Sequence, residues 1–156
     1  MLFILLAFGI LAADQWSKWL VMSKMVHGES IPIIDRIFYL TYVRNPGAAF
    51  GMLPYKTMFF ILITIVAILA IAYYFTRISK ERIMLKTALT MQVGGAVGNL
   101  IDRVRFGYVI DFFDFRIWPV FNVADIAISI GVGMLFWELI RSEQHNKEQH
   151  NKEQHE

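Results

Sequence analysis

Two carboxylates, Asp111 and Asp125, flank a short aromatic connector in the stretch VIDFFDFRIWPVFNVAD, Val109 to Asp125. Asp125 lies just inside the start of an apolar run that reads as a membrane-spanning helix. An acid at that depth costs about 2.5–3.5 kcal/mol on insertion scales, so its presence points to function. Two acids that meet cannot both ionise cheaply and share one proton. The ionised one then activates water as a general base, and the protonated one donates to a carbonyl or a leaving nitrogen. That is aspartic-protease chemistry, and it needs no metal. The competing reading is that each acid caps a helix or pairs with an arginine. Capping suits Asn122 better than Asp125, because Asn122 precedes the helical run and Asp125 lies inside it.

Composition narrows the rivals for this chemistry. The 156-residue chain has no cysteine, which removes disulfides, thiolate nucleophiles and cysteine metal sites. Of the histidines, only His27 lies in the body, so neither a histidine zinc site nor an HExxH motif can be assembled. Apolar residues make up 56% and charged residues 18%, a balance that fits a membrane protein of one domain. No basic block of the kind that binds nucleic acid is present.

The elements that must position the acids follow from the apolar runs. Met1 to Met22 is long enough to span a bilayer and reads as an uncleaved first helix, since it lacks a basic leader and stays apolar past Asp14. Asp14 and Lys18 are one turn apart on it and form a structural pair. Ser23 to Lys56 is more polar and proline-containing. Within it Ile37 to Val43 (IFYLTYV) reads as a strand, and RNPGAAFG, Arg44 to Gly51, as a turn.

Met58 to Phe75 is the clearest span, and Tyr73 and Tyr74 mark an interface. Leu85 to Ile101 is a weaker span that contains Lys86, Gln92 and Asn99. Its Gly94 and Gly98 form a GxxxG pair, which suits a helix inside the bundle. Asn99, Asp102 and Arg103 share one face at its end. For Asp102 and Arg103 an interfacial ion pair is as good a reading as a site. Val120 to Ile140 is the fourth span, and Asp111 sits on the loop before it. Four spans put both termini on one side. The dense basic connector 77–86 is expected to be cytoplasmic, which places the acids near the outer face. The domain is expected to cover residues 1–141. The tail 142–156, with its repeated EQHNK, is expected to be disordered and polar.

Five ordered blocks give this set a resemblance. DQWSK (Asp14–Lys18), RNPGAAFG, GGAVGNLIDR (Gly94–Arg103), VIDFFDF (Val109–Phe115) and FNVAD (Phe121–Asp125) resemble the lipoprotein signal peptidase (signal peptidase II) family. The resemblance covers nearly the whole chain before the tail, and the tail matches nothing in the family pattern. It implies an all-α membrane protein with a small β element: four transmembrane helices plus a periplasm-side β-cradle. It implies that Asp111 and Asp125 are the catalytic dyad, and that Asp14, Asn45, Asn99, Arg103 and Asn122 line the pocket and position substrate. No cofactor and no metal are implied. The implied substrates are prolipoproteins carrying a diacylglyceryl-modified cysteine, cut just before that cysteine at the bacterial inner membrane, with membrane lipids as surroundings. The rival reading is a small proton-coupled transporter, since buried acids also mark proton relays. That reading predicts a repeat between halves and a polar path through several helices. The chain has no such repeat, and its second span is almost purely apolar.

Overall fold

A computed structural model describes residues 1–47 and 56–153, with side chains described as far as Ser142. The elements run α1 (Leu2–Lys24), β1 (Ser30–Ile34), β2 (Phe38–Asn45), α2 (Thr57–Arg77), α3 (Ile83–Phe106), β3 (Val109–Asp114) and α4 (Val123–Glu153). The protein is mostly helical, with one three-stranded antiparallel sheet in the order β1-β2-β3.

Among the described residues, three helices are long and apolar enough to cross a membrane: Leu2–Lys24, Thr57–Arg77 and Val123–Ser142. The sequence predicts four. The helix that falls short is α3, which carries Lys86, Gln92, Asn99, Asp102, Arg103 and Arg105. Its location explains this composition. It packs against α1, α2 and α4, and buries Leu85, Ala88, Leu89, Gly94, Gly95, Gly98, Asn99 and Asp102. A helix covered by other helices does not need lipid-compatible residues all round. By contrast α2, the most apolar helix, buries no residue at all.

Small residues set the helix spacing. A Cβ on Gly94 would press on Ala7 and Ile10 of α1, and one on Gly98 would strike the Asp14 carboxylate. Gly95 faces the other way, against the Ala124 carbonyl of α4. The expected GxxxG pair therefore seats α1, and the glycine between its members seats α4.

The sheet differs from the expectation at β3. Val109–Asp114 is a strand, not a loop, and it pairs with β2 from Tyr39↔Asp114 to Asn45↔Val109. Ile110 and Phe112 point into a core with Val21, Met25 and Tyr42, while Asp111 points to the opposite face. Both faces are covered, so the strand lacks the apolar–polar alternation that marks a half-buried one. After a turn through Arg116, at φ 66°, the chain returns. Phe121 bridges to Phe113, with reciprocal backbone hydrogen bonds of 2.8 and 3.1 Å. That bridge brings residues 122–125 alongside Asp111.

At the C-terminus, α4 continues through the polar repeat to Glu153, where the sequence predicts disorder. Glu, Gln and Lys are good helix formers, and extending an existing helix avoids the cost of nucleation. Of the predicted turn RNPGAAFG, residues 48–51 lie outside the described residues.

Candidate active site

Asp111 and Asp125 line one cleft of about 90 Å³, together with Asn45, Asn99, Arg103, Val109, Pro119 and Val120. Four elements deliver the polar groups, with Asn45 coming from the end of β2. Strand β3 presents Asp111, the first turn of α4 presents Asp125, and the last turns of α3 present Asn99 and Arg103. A second cavity, of about 270 Å³, shares Asn45, Asp111, Pro119 and Val120 and reaches Arg44. Asp111 therefore lines both cavities.

The two acids differ in environment. Asp111 is 2% exposed, whereas Asp125 is half-buried. Burial, reinforced by the nearby Asp125 charge, pushes the Asp111 carboxyl up to about 7. Hydrogen bonds from Asn45 and Asn122 oppose that rise without cancelling it.

Three asparagines hold the carboxylates, and the orientation of each is fixed by its other partner. Asn45 accepts the Gly47 N–H at 3.0 Å through Oδ1, so its Nδ2 is left to donate to Asp111 Oδ2 at 2.9 Å. This is the turn at Asn45-Pro46-Gly47 that the sequence predicts, here closed by the side chain. Asn122 accepts the Asp125 N–H at 3.0 Å, as the expected helix cap. Its Nδ2 donates to Asp111 Oδ1 at 2.6 Å and to the Ile110 carbonyl at 3.2 Å. In return, the Asn122 N–H donates to Asp125 Oδ2 at 3.2 Å, completing a capping box. Asn99 donates to Asp125 Oδ1 at 2.8 Å. Both oxygens of each acid are thus engaged by donors, while their outer surfaces remain on the cleft.

Arg103 closes another side. Its Nη2 donates to the Gly47 carbonyl at 3.3 Å, and its guanidinium lies over the Phe60 ring of α2, 5.2 Å from the centroid. It supplies positive charge near both carboxylates.

Asp14 and Asn122 do not line the cleft, where the resemblance puts them. Both are fully buried behind it. Asn122 still touches the site through Asp111. Asp14 Oδ1 accepts the Ala124 N–H of α4 at 2.9 Å, and its Oδ2 pairs with Lys18 at 2.9 Å. A carboxylate at this helix N-terminus meets the positive end of the helix dipole. Lys18 also pairs with Asp102 at 2.8 Å and donates to Asn99 Oδ1 at 2.9 Å. Asp102 in turn accepts the Ile110 N–H at 3.1 Å and Gln15 Nε2 at 3.0 Å. Sequence reasoning paired Asp14 with Lys18 correctly but missed that Asp102 and Gln15 join them. A lysine and an aspartate within an apolar run were the available signal.

Comparison with known proteins identifies the family. Residues 6–141 match the family model described as signal peptidase (SPase) II. The lipoprotein signal peptidase of Moorella thermoacetica is 49% identical over 138 residues, covering 88% of this chain and 92% of that protein. The lipoprotein signal peptidase of Bacillus subtilis is 46% identical over 144 residues, covering 90% of this chain and 94% of that protein. A solved structure described as a bacterial membrane enzyme superposes with a TM-score of 0.88 at 35% identity, covering 92% of this chain and 90% of that one. Two acids in one cleft, apolar helices and a family match over residues 6–141 lead to one conclusion: the chain belongs to the signal peptidase II family.

Proposed function

We propose that this chain is a membrane-embedded aspartic endopeptidase that removes signal peptides from diacylglyceryl-modified prolipoproteins, cutting just before the lipidated cysteine. The observation that carries the reading is the pair of acids in one cleft, one buried and protonated near neutrality, the other half-buried. Ionised Asp125 takes a proton from water as the water oxygen attacks the scissile carbonyl, and Asp111 donates its proton to the carbonyl oxygen. When the C–N bond breaks, Asp125 gives that proton to the leaving nitrogen while Asp111 takes one back from a hydroxyl of the gem-diol, which leaves the carboxylic acid product and restores both acids to their starting states. Asn45, Asn99 and Asn122 fix the two carboxyl groups. Arg103 lies beside them and faces the substrate backbone. Asp14 acts from behind by holding the start of α4. The two adjoining cavities that Asp111 lines suit an extended peptide running past it.

The membrane setting fits the substrate, since a lipid-bearing cysteine reaches the cleft from within the bilayer. Helix α3 serves as a fourth span, because it packs against all three apolar helices and is itself 24 residues long. The basic connector between α2 and α3 favours the cytoplasm, so the sheet and the cleft sit at the outer, periplasmic face of the inner membrane. The rival transporter reading lacks support from the relatives, which carry the name lipoprotein signal peptidase. The test is conversion of a lipidated precursor by Asp111→Asn and Asp125→Asn. Loss of cleavage in both is expected, and wild-type cleavage by either sinks the dyad assignment.

A further inference from the structure

We infer that Lys18 is a positioning residue of the active site, setting the Asn99 side chain so that its amide N–H points at Asp125. Lys18 lies on α1, is 1% exposed, and does not reach the cleft. Its ammonium has three protons and no acceptor. Three oxygens surround it: Asp14 Oδ2 at 2.9 Å, Asp102 Oδ2 at 2.8 Å and Asn99 Oδ1 at 2.9 Å. Every donor is used, and the two carboxylates hold the ammonium in place from opposite partners, one on α1 and one on α3.

An asparagine has one oxygen and one NH2 and chooses between two flips. With the ammonium on one side, only the flip that presents Oδ1 to Lys18 is possible, because the other would set donor against donor. The NH2 is then directed to Asp125 Oδ1, at 2.8 Å. Asn122 Nδ2 donates to the same Asn99 oxygen at 3.1 Å and favours the same flip, but it is neutral and weaker. Without Lys18, the Asn99 amide loses the charged partner that decides its orientation. Asp125 then loses its fixed donor or meets a carbonyl oxygen instead. The simpler role, neutralising Asp14 and Asp102, does not account for the third bond, which goes to an uncharged residue of the cleft.

This inference rests on Asp125 being half of the catalytic pair. A double-mutant cycle tests it, with Lys18→Met, Asn99→Ala and the double variant assayed on a lipidated precursor for kcat and KM separately. Lys18→Met leaves two buried acids uncompensated and risks misfolding, so the same cycle is run on an Asp102→Asn background. There the methionine restores the wild-type net charge of the Asp14–Lys18–Asp102 cluster. Lys18→Met is expected to lower kcat by about 10²-fold with KM nearly unchanged, the scale of a small misplacement at a reacting group. In the Asn99→Ala background it is expected to lower kcat no further. Equal losses with and without Asn99, in folded protein, overturn the inference, as does wild-type kcat in Lys18→Met. Asp125→Asn is included alongside. If it cleaves normally, the dyad reading fails; if it is inactive while the cycle is additive, only the role of Lys18 fails.

Discussion

Replacing Asp111 by asparagine is expected to make the protein progressively more stable, relative to wild type, as pH rises. The carboxyl is buried, and burial together with the Asp125 charge pushes it up from 3.8 to about 7. In the unfolded chain an aspartate ionises near 3.9. Between these values the folded protein holds a proton that the unfolded chain has released. Stability therefore falls as pH rises through that window, and the loss is complete above about 7. Going from pH 5 to pH 8 crosses about two pH units of the window, each worth about 1.4 kcal/mol, so wild type loses about 3 kcal/mol from this group.

Asparagine at 111 does not titrate. It carries a cost of its own, because its NH2 must face the donor of Asn45 or of Asn122. That mismatch costs on the order of 1–3 kcal/mol, equally at both pH values. The assay is thermal unfolding of wild type and variant at pH 5 and pH 8 in the same detergent. The midpoint difference is expected to move in favour of the variant by about 6–12 °C between the two pH values. A difference that stays constant would refute a buried, protonated Asp111.

Two further outcomes follow from the same geometry. If Asp111 is the proposed acid, kcat/KM on a lipidated precursor is expected to fall about tenfold per pH unit above about pH 7, as its carboxyl loses the proton; a flat profile to pH 9 removes Asp111 as the acid. Gly95→Ala drives a methyl into the Ala124 carbonyl, which belongs to the α4 backbone and cannot swing aside. It is expected to cost about 1–3 kcal/mol and to slow cleavage by displacing Asp125. Gly9→Ala meets nothing within 4 Å and is the control, expected to be neutral or stabilising. Equal melting of the two variants contradicts the close α3–α4 seat.

The parts of this structure that sequence reasoning reaches are those written in local pattern. An unbroken apolar run makes α2, and an asparagine before an apolar run caps α4. Gly94 and Gly98 announce close helix contact, and residues 37–43 read as a strand because β-branched and aromatic residues crowd there. The acids of the cleft were legible because carboxylates in so apolar a chain have few bland uses. What stayed hidden depends on distant partners. Strand β3 exists because β2 offers an edge and the helices cover its faces, and neither fact appears within Val109–Asp114. Asp14 points away from the cleft because Ala124, far along the chain, offers it a bare helix N–H. The third helix escaped the apolarity expected of a span because its surroundings are protein.

The bond from Asp14 on the first helix to Ala124 on the last has a bearing on how the protein is made. During synthesis α1 enters the bilayer with Asp14 and Lys18 already one turn apart, so the pair travels as a near-neutral unit. Its other partners emerge later, at about 5–20 residues per second: Asn99 and Asp102 with α3, then Ala124 with α4. A chain stalled before residue 122 has Asp111 and Asn45, but lacks Asn122, the other asparagine on Asp111, and the second acid of the cleft. The helix inserted first thus keeps a vacant berth for the helix inserted last. The cleft is complete only once that berth is filled, because α4 carries Asp125 and starts right after Asn122.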